Sequence, residues 1–156
     1  FSYRIRKATL RLWGKFPILA AGRLFEGNVT DMEPIKAVLA DDHELIRASL
    51  KGVLELDGAV CVLDAVSNAA DAIDATVAHA PDVVLLDWNM PVMSGMEFLQ
   101  ALSSAKMTAR PKIIFCTTEN GISHIKAAVD AGADEYVMKP FDRETLESKL
   151  SIVGII

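Results

Sequence analysis

Val83-Val84-Leu85-Leu86-Asp87-Trp88-Asn89-Met90-Pro91 decides the reading of this 156-residue chain. Four apolar residues, suited to a strand buried on both faces, run into a single carboxylate. Met90-Pro91 and Ser94-Gly95 then stop the strand. A carboxylate at the carboxyl end of a buried parallel strand stands where open α/β sheets hold their ligands. Two other strand ends are charged as well. Asp41-Asp42 follow Ile35-Lys36-Ala37-Val38-Leu39-Ala40, and Lys139 follows Glu135-Tyr136-Val137-Met138, just ahead of Pro140. Three acids and one lysine at strand ends form a pattern fit for a metal ion and a phosphate.

Working outward from these strands, the sequence alternates regularly from residue 35 onward. Strands are expected near 35–40, 59–65, 82–87, 112–117 and 134–138. Helical patterns are expected near 43–56, 69–79, 95–105, 121–131 and 142–152. In the first helix Leu45, Ile46, Leu50, Val53 and Leu54 repeat with a 3.6-residue period, which predicts a shared buried face. Asn68 and Asp142 stand where N-caps are needed. Five βα units in sequence imply an α/β fold with a parallel sheet covered on both sides. The flavodoxin-like, doubly wound, five-stranded order 2-1-3-4-5 is the expected winding. It sets the ends of strands one and three side by side and so gathers Asp41, Asp42 and Asp87. Strands two and four are not neighbours in that order, so Cys61 and Cys116 are not expected to bond.

Composition narrows the class further. The net charge is −5. Residues 1–31 hold six basic and two acidic groups, so the rest of the chain carries −9. An acidic body argues against nucleic acid as a partner. No apolar run approaches ~18 residues, so no membrane insertion is expected. Two isolated cysteines give neither metal-ligand spacing nor a disulfide framework, which suits a reducing cytoplasm. Residues 1–31 do not fit the alternating plan. The chain opens on Phe1 while Met32 stands just before the first strand, so 1–31 reads as an added or disordered leader and 32–156 as the domain. Its basic and apolar content also allows an amphipathic arm that seeks a membrane surface.

Three carboxylates held about 5 Å apart repel by roughly 3 kcal/mol per pair at an effective dielectric near 20. A cation makes such a cluster tolerable. Oxygen ligands beside a phosphate site favour Mg²⁺, which keeps several waters and needs only a few protein donors. Asp41, Asp42, Asp87 and the backbone carbonyl of Asn89 are the candidate ligands. With the ion in place, Asp87 can attack phosphorus and form an acyl phosphate. Lys139 and the Thr117 hydroxyl can then meet the phosphoryl oxygens. His43 is assigned to the surface at the start of the first helix, and Trp88 is expected to be exposed beside Asp87.

At these residues the chain resembles the response-regulator receiver domain, and within that family the single-domain chemotaxis regulators of the CheY kind. The matching motifs are Asp41-Asp42, Asp87-Trp88-Asn89-Met90-Pro91, Thr117 and Lys139-Pro140-Phe141, over residues 35 to about 152. The resemblance implies that Asp87 accepts a phosphoryl group from a sensor histidine kinase or a histidine phosphotransferase. It implies that Asp42 holds Mg²⁺ directly and Asp41 through water. It also implies that Thr117 and the aromatic Tyr136 form a switch. Thr118 departs from the small residue the family often carries after this threonine, which bears on access to Asp87.

The chain ends soon after the fifth helix, so output is expected through protein contact, for example with a flagellar motor switch. The expected partner face combines Ile125 and Val129 on the fourth helix with Ala133, Tyr136 and Lys149. Such a protein is a phosphoacceptor that catalyses its own phosphorylation and dephosphorylation rather than a turnover enzyme. The alternative is a phosphohydrolase of the haloacid-dehalogenase type, which also uses an aspartyl nucleophile and Mg²⁺. That type needs a second acid two residues after the nucleophile, where this chain has Asn89.

Overall fold

A computed structural model describes residues 19–20, 23–24, 33–56, 58–118 and 122–156. Ten elements alternate along the body. They are β1 (Ile35–Ala40), α1 (Glu44–Glu55), β2 (Val60–Val66), α2 (Ala69–His79), β3 (Val83–Asp87), α3 (Gly95–Ser104), β4 (Lys112–Thr117), α4 (Ile122–Asp130), β5 (Glu135–Met138) and α5 (Arg143–Ile152). The strands form one parallel sheet in the order β2-β1-β3-β4-β5. This is the expected winding, and each element falls within a residue or two of its expected span. Ahead of the body, Leu19–Ala20 pairs antiparallel with Arg23–Leu24. The rest of the expected leader, 1–31, lies outside the described residues.

The period-two alternation of the strands splits the core into two layers. Val83 and Leu85 of β3 join Ile35, Ala37, Leu39 and Val137 in the layer that also holds Leu54, Leu146 and Leu150 from α1 and α5. Val84 and Leu86 join Val38, Ile113 and Phe115 in the opposite layer, with Ala72, Phe98, Leu102 and Ala128 from α2, α3 and α4. Asp87 keeps the parity of Val83 and Leu85, Asp41 that of Ile35 to Leu39, and Lys139 that of Val137. The three charged residues thus continue one face of the sheet past its carboxyl edge.

Local chemistry fixes where the helices start. Asn68 accepts a hydrogen bond from Asp71 N, and Asp142 accepts one from Thr145 N, so both expected caps are present. Hydrogen bonds from the Thr145 hydroxyl and then its N–H hold the Asp142 carboxyl below its ordinary value. Ser94 begins α3 with a reciprocal box, its hydroxyl accepting from Glu97 N while its own N–H donates to Glu97 Oε2. The expected face of α1 needs one correction. Leu54 is buried and Leu50 packs beside the core, but Leu45 is 86% exposed. Leu45 shares its side of α1 with Ala48, Ser49 and Gly52, all exposed, so that side faces solvent.

Candidate functional site

The switch point between β1 and β3 gathers the acids as the strand order requires. Asp41 is 1% exposed and Asp87 is 5% exposed, while Asp42 is half-buried. Lys139 follows β5 with its side chain 9% exposed, after a backbone bond from its N–H to the Thr117 carbonyl. Its ammonium donates to Asp41 Oδ2 at 2.5 Å and stands 3.4 Å from Asp87 Oδ1. The Lys139–Pro140 peptide is cis.

Asp41 is held from several sides. Its Oδ1 accepts from His43 N at 2.8 Å, and its carbonyl accepts from the Arg47 guanidinium at 2.7 Å. Asp87 Oδ1 accepts from Asn89 N at 3.2 Å, a contact that folds the loop back over the strand end. Asp42 is different, because its buried Oδ1 accepts no hydrogen bond among the described residues. His43 Nδ1 lies 3.0 Å from that oxygen, without hydrogen-bonding geometry. One donor atom each from Asp41, Asp42, His43 and Asp87 lies within 4.8 Å of all the others.

The electrostatics follow from this crowding. Burial raises the Asp87 carboxyl above its ordinary value, and Asp41 adds to the rise against the opposing pull of Lys139 and Asn89 N–H. Burial alone would lower the Lys139 ammonium. The Asp41 hydrogen bond and the charges of Asp87 and Asp41 outweigh it, so Lys139 stands raised and stays charged. Burial pushes the neighbouring Cys116 thiol up to about 12, which leaves it an inert core group. Cys116 and Cys61 are both free, as strand order predicted.

The wall behind Asp87 is aromatic. Trp88 is half-buried rather than exposed, its ring edge-on to Phe115 at 4.9 Å between centroids and 83° between planes. The expectation of an exposed indole overlooked the apolar ring of β4 beside it. Gly95 completes this wall. A Cβ there would stand 2.5 Å from Phe115 Cε1 and 3.2 Å from Trp88 Cε3, so only glycine lets α3 approach so closely.

Thr117 ends β4, buried, in register with Met138 of β5. Tyr136 is half-buried in register with Phe115, and the Lys149 ammonium sits 4.7 Å above its ring. Lys149 also pairs with Glu135 at 3.3 Å, so it bridges α5 to β5. On the expected partner face Val129 is 52% exposed and Ile125 is half-buried. Ala133 does not belong there. It is buried against the α3–α4 side of the sheet, because the turn after α4 folds it inward with its N–H bonded to the Ala128 carbonyl.

Sequence reasoning missed one contributor and left the reach of another unread. His43 begins α1 with its ring largely exposed, as expected, and its backbone bond to Asp41 also brings that ring near the acids. Arg47 on α1 carries no sequence signal for its bond to the Asp41 carbonyl. The chemistry of the donor set suits a hard divalent ion. Buried carboxylates converge, and one of their oxygens lacks any other partner.

Comparison with known proteins agrees with this geometry. The response regulator receiver domain family matches residues 37–151. The nitrate/nitrite response regulator protein NarP of Escherichia coli is 40% identical over 113 residues, covering 72% of this chain and 52% of NarP. Chemotaxis protein CheY1 of Helicobacter pylori is 33% identical over 120 residues, covering 76% of this chain and 96% of CheY1. A crystal structure of a DNA-binding response regulator of the LuxR family from Staphylococcus aureus superposes with a TM-score of 0.68 at 28% identity, covering 76% of this chain and 98% of that one. The chain spans about half the length of the nitrate/nitrite regulators it matches. Among the described residues no helix is long and apolar enough to cross a membrane. The shared sheet order, the acid cluster facing one lysine, and the match over residues 37–151 place this chain in the response-regulator receiver family, with a CheY-like fold.

Proposed function

We propose that this receiver takes a phosphoryl group onto Asp87 from the phosphohistidine of a sensor kinase or histidine phosphotransferase. The observation that carries this reading is Asp87 itself, nearly buried at a strand end with Lys139 and the Asp41–Asp42 pair converging on it. Receiver domains are phosphoacceptors rather than turnover enzymes, and they generally bind Mg²⁺ at an acidic pocket. In this chain Asp42, Asp87 and the Asn89 carbonyl would hold the ion, with Asp41 acting through water. The bound ion would supply charge that neutralises the carboxylates and the incoming phosphoryl oxygens.

One Asp87 carboxylate oxygen attacks phosphorus, the P–N bond to the donor imidazole breaks, and the imidazole leaves with a proton from solvent. Lys139 keeps its charge at neutral pH and turns from Asp41 toward the new phosphoryl oxygens. The Thr117 hydroxyl donates to another of them. Water later cleaves the acyl phosphate in the same pocket, so the domain promotes both its own phosphorylation and its own hydrolysis. Thr118 beside the pocket sets how readily donor and water reach Asp87. This family placement displaces the haloacid-dehalogenase reading.

The occupied site signals through Thr117 and Tyr136. Movement of Thr117 toward the phosphoryl group opens space for Tyr136 to turn inward, which changes the surface made by Ile125, Val129 and Lys149. The downstream target is a protein in the cytoplasm, such as a flagellar motor switch, and the similarity to a chemotaxis protein supports a chemotaxis role. The similarity to NarP, a longer protein, favours a second reading in which this receiver controls an attached DNA-binding output. Residues 32–156 are the working unit in either case, and residues 1–31 are dispensable for phosphorylation.

Intact-mass analysis after incubation with acetyl phosphate and Mg²⁺ tests the core of the proposal. One added phosphoryl group is expected on the wild type and none on Asp87→Asn. An equal mass gain on Asp87→Asn would refute Asp87 as the acceptor. Capture of partners with and without beryllofluoride separates a protein target from a DNA site.

A further inference from the structure

We propose that His43 is an additional donor to the divalent ion of this site and shifts its preference from Mg²⁺ toward borderline ions such as Co²⁺. The inference rests on the metal reading above and concerns the identity of the ion.

The backbone puts the imidazole in place. His43 is the residue that begins α1, with extended dihedrals of φ −84 and ψ 109, and its side chain makes no capping bond. Its N–H is instead tied to Asp41 Oδ1 at 2.8 Å. That tie leaves Nδ1 3.0 Å from Asp42 Oδ1 and 3.4 Å from Asp41 Oδ1. The carboxylate oxygen nearest the ring is the one with no hydrogen bond. A neutral imidazole has one lone pair to offer, and an ion between these groups would use both it and the orphaned oxygen. The spread of 4.8 Å among the four donor atoms is close to the width of one octahedral coordination sphere. The ring is largely exposed, so it can turn onto the ion without disturbing the core.

The chemical consequence is selectivity. Oxygen-only ligands suit Mg²⁺, which accepts nitrogen poorly, whereas imidazole suits Co²⁺, Ni²⁺ and Zn²⁺. A site of two or three carboxylates plus one imidazole therefore separates the two classes more than the carboxylates alone.

Calorimetric titration of the full chain with Mg²⁺ and with Co²⁺ tests this. His43→Ala and His43→Gln are expected to lower Co²⁺ affinity by roughly ten- to a hundred-fold, the scale on which supporting groups around a metal act. Mg²⁺ affinity should fall far less, so the Co²⁺ to Mg²⁺ ratio drops in both variants. The visible spectrum of the Co²⁺-loaded protein should change with the loss of the nitrogen donor. Asp42→Ala separates the two levels of the argument. If Asp42→Ala loses both ions while His43→Ala and His43→Gln keep the wild-type ratio and spectrum, the metal reading stands and the His43 proposal is overturned. If the wild type binds neither ion, both are overturned.

Discussion

The two ends of the parallel sheet use the same residue types in opposite ways. At the amino edge, Asp82 and Asp134 each precede a strand and clamp its neighbour. Asp82 Oδ2 accepts from Lys36 N at 2.9 Å while Asp82 N donates to the Lys36 carbonyl. Asp134 Oδ2 accepts from Ile113 N at 2.8 Å while Asp134 N donates to the Ile113 carbonyl. Arg110 and Lys112 stand at 2.8 and 3.6 Å to neutralise Asp134, and the Arg110 fork also donates to the Gly132 carbonyl. At the carboxyl edge, Asp41 and Asp87 share one ammonium, and a buried oxygen of nearby Asp42 has no hydrogen bond among the described residues. Asp134 holds a strand N–H and has cations to balance it, whereas Asp42 keeps a buried oxygen open to a ligand. Residue type alone does not distinguish them.

The largest expected effect lies at the amino edge. Asp134→Ala removes the acceptor for Ile113 N–H, on a fully buried residue, and the ion pair with half-exposed Arg110. A cost of about 2–3 kcal/mol is expected, on the scale of an unsatisfied buried donor. Denaturant unfolding measures it, and acetyl phosphate labelling of the folded variant should still reach wild-type extent. A loss below about 0.5 kcal/mol would show that water replaces the clamp, and the contrast between the edges would weaken.

Asp87→Asn should act in the opposite direction. Burial, with help from Asp41, raises the Asp87 carboxyl above 3.8 in the folded protein. Between that ordinary value and the raised one, the folded state binds more protons than the unfolded chain. Stability therefore falls as pH rises through this interval, and above it the Asp87 charge is a standing cost. Asp87→Asn removes the cost while Lys139 keeps its bond to Asp41. The metal-free variant should be more stable at neutral pH by on the order of 1 kcal/mol, the scale of a typical single substitution. The gain should vanish below pH 3.8. Paired unfolding curves across pH would contradict the account if the variant were less stable at pH 7.

A smaller difference concerns the backbone. Val92, in the loop after Asp87, has φ 73, and Met93 N donates to the Pro91 carbonyl across it. A β-branched residue is poorly suited to such a turn. The turn before Asp134 uses Gly132, at φ 104. Strain of about 1–3 kcal/mol at Val92 is partly offset by the roughly 0.5–1 kcal/mol that glycine loses in flexibility. Val92→Gly should therefore stabilise by about 1 kcal/mol, read as a rise in denaturation midpoint. A fall would show that the loop is not strained.

Most of the fold could be read from the chain because it rests on patterns of short range. The apolar runs 83–86 and 113–116, the caps Asn68 and Asp142 and the alternation of periods are local, and strand order then follows from few alternatives. The acids and Lys139 were readable because strand ends are places where side chains converge. What escaped depended on tertiary contact. Leu45 falls on the solvent side of α1, Trp88 finds the Phe115 ring, and Ala133 is turned inward by the bend after α4. His43 reaches the acids only through its backbone bond to Asp41, and the clamps at Asp82 and Asp134 appear only once the strands are paired.

The central claim is that the carboxyl-edge acids await a cation while the amino-edge acids hold the sheet. Unfolding free energy measured with and without Mg²⁺, in the wild type, Asp42→Ala and Asp134→Ala, tests it most directly. At ten times the dissociation constant, Mg²⁺ should stabilise the wild type by about 1.4 kcal/mol. Asp134→Ala should keep that increment on a lower baseline, and Asp42→Ala should lose it. A full Mg²⁺ increment in Asp42→Ala, or its loss in Asp134→Ala, would contradict the account.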